Sequence, residues 1–173
     1  MFDPTVFENL KVALENRLYD LDNLEGRVRI VGRSDLLDMA VMSRRLALRF
    51  ERTDTENVTA EIRLEASLKD LAAEILEIPG QAPGCALSLR FELPVAEDYR
   101  EQCGQVERVL RGIWLTAEPP VQTLSFVYGD DSPAGYRNVA EIKFNRLVGE
   151  DQMEDLPELI EDALRSMEAL EGS

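Results

Sequence analysis

No histidine occurs among the 173 residues. That absence removes the commonest general base, every histidine-dependent triad and the commonest metal ligand. The two cysteines, Cys85 and Cys103, are eighteen positions apart, without the close pair used by zinc sites and thioredoxin-type chemistry. No apolar run approaches the ~20 residues of a membrane span. The opening Met1, Phe2, Asp3, Pro4 lacks a basic segment followed by an apolar core, so no signal peptide is expected. No lysine follows a glycine-rich loop to cradle phosphate, and no glycine fingerprint for a dinucleotide follows a strand. Bases are outnumbered 19 to 34, giving a formal charge of −15 and a pI near 4.4. Nucleic acid phosphates and anionic lipids would be repelled. The expectation is a soluble, cytoplasmic protein with no nucleic acid or membrane partner and no metal or cofactor.

What is present is regular patterning. With 45% hydrophobic residues the chain can fill a core, and its length suits one domain. The halves 1–79 and 84–173 would meet at Gly80 to Gly84, and one shared core is favoured over two thin ones. The acidity is uneven: residues 1–50 hold eight bases and eight acids, whereas residues 151–173 hold one base and eight acids. The first third is arginine-rich, with Arg27, Arg29, Arg33, Arg44, Arg45 and Arg49.

Four helices are predicted. Asp3 and Pro4 make a helix start before Val6, Phe7, Leu10 and Leu14. Ser67 with Asp70 resembles a capping box ahead of Leu68, Leu71, Ala72, Ile75 and Leu76. A third stripe runs Tyr99, Cys103, Val106, Leu110, Ile113, and the last runs Met153, Leu156, Ile160, Ala163, Met167, Leu170. Strands show as period-two alternation in five places: Leu46 to Phe50, Val58 to Leu64, Leu87 to Leu93, Leu124 to Tyr128, and Ala140 to Phe144. Shorter strands are expected around Leu18 to Leu21 and Arg27 to Val31, joined by a turn at Asn23 to Gly26. Ser34 to Met42 reads as a helical turn or two. One apolar and one polar side per strand is the habit of antiparallel sheets. The predicted class is α+β: a mainly antiparallel sheet with helices packed on one face.

An internal echo supports a duplicated strand–turn–strand–helix unit. Ala60, Glu61, Ile62, Arg63, Leu64 matches Ala140, Glu141, Ile142, Lys143, Phe144, and each segment precedes a helix. Any two amphipathic hairpins followed by a helix would look similar, so both readings stand.

Candidate chemistry is sparse. Cys103 lies on an apolar stripe and reads as core. Cys85, at a strand start after Gly84, could be accessible, but no neighbouring base favours its thiolate. Carboxylates cluster at Asp130 and Asp131 and at Glu150, Asp151, Glu154 and Asp155. Turn chemistry accounts for the first group and a helix N-terminus for the second. Arg45, Arg49, Arg63, Arg90 and Lys143 fall on the polar sides of their strands, interleaved with glutamates. The ordinary reading is a solvated sheet face with cross-strand pairs. The functional reading is a helix-free platform for a polar partner, with Tyr136 exposed beside Gly135. Tyr99, Trp114 and Tyr128 are candidates for lining a pocket between sheet and helices.

The helix at 7–14, the hairpin at 46–64, the helix at 68–76, the hairpin at 124–144 and the helix at 156–170 follow one another in an order that resembles the type III secretion chaperones. The resemblance implies a homodimeric, non-enzymatic binder of partner proteins. The expected function is therefore an intracellular protein-binding, chaperone- or adaptor-like protein, acting as a homodimer with a protein partner. The alternative is a small-molecule binder or carboxylate-dependent enzyme using the Tyr99, Trp114 and Tyr128 pocket.

Overall fold

A computed structural model describes residues 5–77, 79–80, 82–115, 118–129 and 135–172. The helix start at Asp3 and Pro4 and the turn formers Asp130, Asp131, Ser132 and Pro133 lie outside them. The order of elements is α1 (Thr5–Asn23), β1 (Val28–Asp38), β2 (Ser43–Arg52), β3 (Thr59–Ala66), α2 (Leu68–Ile75), β4 (Ala86–Val95), α3 (Tyr99–Trp114), β5 (Val121–Ser125), β6 (Tyr136–Lys143), then a 3-10 turn (Glu150–Asp155) leading into α4 (Leu156–Glu171). All six strands join one antiparallel sheet in the order β1-β2-β3-β4-β6-β5.

Alternation decides which side of that sheet is covered. Leu46, Leu48 and Phe50 of β2, Ile62 and Leu64 of β3, Leu89 and Phe91 of β4 and Ile142 of β6 share one face and are almost wholly buried. Against them lie Phe7, Leu10, Leu14, Leu18 and Leu21 of α1 and Leu156, Ile160, Leu164, Met167 and Leu170 of α4, in one continuous core. α3 enters the same layer through Val106 and Leu110, and α2 through Leu71; Leu68, Ile75 and Leu76, expected on the same apolar stripe of α2, are instead more than half exposed, and Ala73 is buried. Each large apolar side chain hidden in this way stabilises the fold by ~1.5–3 kcal/mol. The protein is thus α+β, an open antiparallel sheet with four helices packed against it.

Local chemistry fixes the ends. In the capping box of α2 the Asp70 backbone N–H donates to Ser67 Oγ (3.2 Å) while the Ser67 N–H donates to Asp70 Oδ2 (3.0 Å). α1 stops where Gly26 adopts φ +63°, a left-handed turn that favours glycine.

Three more local expectations are corrected. Leu18 to Leu21 is the last turn of α1 and not a strand, because Leu10, Leu14, Leu18 and Leu21 continue the three-and-four spacing of one buried stripe. Ser34 to Met42 is not helical: Ser34 to Asp38 belongs to β1, in register with Ser43 to Ala47, and Met39 to Met42 make the hairpin turn. Pairing with β2 overrides the local pattern. Strand β5 ends at Ser125, so Phe126 and Tyr128 stand outside the ladder, both largely exposed.

The echoing segments have a definite place. β3 and β6 flank β4 in matching register: Ala60 and Ala140 oppose Phe91, Glu61 and Glu141 oppose Arg90, and Ile62 and Ile142 oppose Leu89. Their hairpin partners, however, lie on opposite sides, β2 beyond β3 and β5 beyond β6. The likeness holds for two strands and the helices that follow. It does not extend to superposable hairpins, because superposing β3 on β6 with the same face buried carries β2 onto β4.

Candidate functional site

The uncovered face of the sheet gathers the five predicted basic residues. Arg45 and Arg49 of β2, Arg63 of β3, Arg90 of β4 and Lys143 of β6 all occupy outward positions, joined by Arg29 of β1 and Arg137 of β6. One row crosses four strands with alternating sign: Arg49, Glu61, Arg90, Glu141. Every base has a carboxylate partner. Arg45 Nε donates to Glu65 (2.9 Å), Arg90 Nε to Glu141 (2.5 Å), Arg49 to Glu92 (3.4 Å) and Arg29 to Glu51 (2.5 Å). Arg63 pairs with Glu61, Arg137 with Glu92, and Lys143 with Glu141 at 3.3 Å.

These pairs are layered. In each, the cation is more exposed than its acid: the Lys143 side chain is 76% exposed over Glu141 at 14%, and Arg137 is 56% exposed over Glu92 at 26%. The reason is reach. An arginine or lysine carries its charge beyond the end of a glutamate rooted on the same pleat. The difference is large at Lys143, Arg137 and Arg29 and small at Arg45 and Arg63, whose glutamates are almost as exposed as they are.

Tyr136 is not on this platform. It shares the inner side of β6 with Asn138, Ala140 and Ile142, and packs edge-on against Tyr99 of α3 (5.6 Å between ring centres) and Phe126 (6.0 Å). The three pocket candidates do not come together. Tyr99 and Trp114 cap opposite ends of α3, ~22 Å apart at 1.5 Å per residue. Trp114 stacks edge-on with Phe144 at 5.8 Å, and its Nε1–H donates to Ser166 Oγ at 2.9 Å. Tyr128 is 95% exposed in the turn after β5.

The arginine-rich first third divides between the two faces. Arg33 and Arg44 project inward, and Arg27 lies just ahead of β1; all three tie helices to the sheet. Lys11 of α1 donates to Asp35 Oδ2 (2.6 Å), which also accepts from Arg44 (3.1 Å). The Arg44 guanidinium lies 4.7 Å from the centre of the Phe7 ring. Burial works against the Asp35 charge, but the bonds from Arg44 and Lys11 outweigh it and hold the carboxyl below its ordinary value. Arg27 grips Glu161 of α4 through two hydrogen bonds of 2.7 and 2.8 Å, which hold that carboxyl low.

Neither thiol is poised for chemistry. Cys85, expected to be accessible, is buried: its N–H and C=O exchange hydrogen bonds with Val148, and burial, then the nearby Asp70 and Glu74, push its pKa up to about 12. Burial also raises Cys103, whose helix is held to the β5 edge by a Gln122 bond to its carbonyl (2.8 Å). Among the described residues, clefts open on the surface at three places, among others. One of about 240 Å³ lies between the 36–45 hairpin and the start of α2, one of about 270 Å³ beside Phe144 and Leu159, and one of about 460 Å³ beside Lys69 and Leu147. None of the three is lined by Tyr99, Trp114 or Tyr128. Among the described residues, no three acidic or cysteine side chains lie together as a metal would need, and no helix is long and apolar enough to cross a membrane.

A further feature escaped the sequence reading. Leu36, Leu37, Met39 and Val41, at the tip of the β1–β2 hairpin, are each more than half exposed. β1 is an edge of the sheet, so its outer row of backbone donors and acceptors has no strand beside it. Five apolar residues in six positions, Leu36, Leu37, Met39, Ala40 and Val41, were the available signal. Arg137 was legible too, since it shares parity with Glu141 and Lys143.

No family model, curated protein or solved structure matches this chain.

Proposed function

We propose that the chain is a non-enzymatic protein-binding module of adaptor or chaperone type, which pairs with a second copy of itself. The observation that carries this reading is the exposed apolar hairpin tip on an open edge strand. Apolar side chains left in water at an open sheet edge favour association, because burial removes them from water and a neighbouring strand satisfies the free backbone groups. Two copies of β1 running antiparallel would continue the sheet across a two-fold axis, the commonest symmetry of homo-oligomers. The order of helices and strands resembles the type III secretion chaperones, with β4 and α3 as additions between the two hairpins, and it adds to the same reading. Scattered aromatic candidates and cysteines held as thiols give the enzymatic alternative no comparable support.

Light scattering on the eluting protein tests the proposal. The mass should be twice 19.5 kDa. Met39→Asp combined with Val41→Asp should return it to a single chain with an unchanged circular dichroism spectrum. A monomeric wild-type chain at all workable concentrations would refute the pairing.

A further inference from the structure

Resting on the protein-binding reading, we infer that the helix-free face of the sheet docks an acidic polypeptide segment. The outward positions of β2, β3, β4 and β6 hold six bases (Arg45, Arg49, Arg63, Arg90, Arg137, Lys143) against five acids (Glu51, Glu61, Glu65, Glu92, Glu141). In a chain of net charge −15, this is a local reversal of sign. Exposure adds to it, since Lys143, Arg137 and Arg29 stand well clear of the carboxylates they pair with.

The pairs also leave capacity for a ligand. Arg45, Arg63 and Arg90 meet their glutamates through Nε. A guanidinium carries five N–H donors in a planar fork, so each retains donors suited to a second, incoming carboxylate. Four strands at ~4.8 Å spacing make a platform ~14 Å across, wide enough for a peptide backbone with side chains on both sides.

The same face argues against other occupants. No aromatic side chain points outward from the described residues of the six strands; Phe50, Phe91 and Tyr136 all face the helices. Single-stranded nucleic acid depends on such rings for stacking. The outward apolar residues of the four central strands, Ala47, Ala86, Pro94 and Val139, are dispersed among charges and make no seam for an amphipathic helix. An acidic, extended segment is the chemistry that remains.

Fluorescence polarisation with a labelled peptide of alternating Glu and Ser tests the inference, with a Lys and Ser peptide and a thymidine oligonucleotide as comparisons. The acidic peptide should bind most tightly, weaken as salt rises, and perturb backbone amide resonances in β2, β3, β4 and β6. The exposed triple variant Arg45→Gln, Arg137→Gln, Lys143→Gln should bind it about tenfold more weakly, with unaltered mass and circular dichroism. Absent binding, equal binding by the triple variant, amide shifts confined to the helices, or tighter binding of the oligonucleotide would each overturn the inference. So would a changed mass of the triple variant, which would place a second copy on this face. A wild-type dimer that ignores the acidic peptide defeats only the present inference, because pairing is read separately from the hairpin variant.

Discussion

The two faces of one sheet are written by the same alternating residues yet are held by different physics. The inner face is stabilised by removing apolar surface from water, so its energy depends on shape and filling. The outer face keeps its charges in water, where each pair contributes little and is screened by salt. Stability therefore resides on one side, leaving the other free to change its chemistry without unfolding the protein. A binding surface belongs on that second side.

Breaking the inner face should have the largest effect. Phe91, wholly buried on the central strand β4, should cost ~3–5 kcal/mol when replaced in Phe91→Ala, read as a lower urea midpoint. If the loss were under 1 kcal/mol, the core described above would not be where the stability lies.

Much of this division was legible from sequence, for a physical reason. A strand with one wet and one dry side must alternate, so β2, β3, β4 and β6 and the placing of Arg45, Arg49, Arg63, Arg90 and Lys143 followed from parity alone. The amphipathic stripes of α3 and α4 were equally explicit, whereas that of α2 was misread: Leu71 is buried, but Leu68, Ile75 and Leu76 are more than half exposed and Ala73 is buried instead. Failure came where pattern was short or pairing decided. Leu18 and Leu21 are three apart, a helical spacing that continues Leu10 and Leu14 and went unrecognised without the preceding turns of α1. Leu36 and Leu37 are adjacent because an edge strand at a hairpin tip need not alternate. The layering of cations over carboxylates depends on side-chain reach between strands distant in sequence, as with Arg90 and Glu141, and no local window contains it. Tyr136 was misjudged by its neighbour Gly135, although its parity with Ala140 and Ile142 indicated the inner face.

An intermediate effect is expected at the seam between α1 and the sheet. Asp35→Asn removes the carboxylate shared by Lys11 and Arg44 and should cost ~1–3 kcal/mol near neutral pH. Because the folded carboxyl titrates below its ordinary 3.8, its contribution is fully present above that value. It disappears as the pH falls through the lower, folded-state pKa. The stability gap between wild type and variant should accordingly close in acid, as followed by thermal melts from neutral pH downward.

The smallest effect belongs to the outer face. A double-mutant cycle of Arg45→Gln and Glu65→Gln, a pair about half exposed on each side, should give a coupling of ~0.2–1 kcal/mol that shrinks as salt is added. A coupling of several kcal/mol, indifferent to salt, would erase the contrast between the faces.

The strand order also governs the timetable of assembly. β1, β2 and β3 meet through short reversals and can zip together early, whereas β6 must find β4 only after α3 and β5 have been spanned. Closing so large a loop delays its reward in contacts and slows the search. On a ribosome, the meander of β1, β2 and β3 would stand with the flank of β4 open until β6 emerged.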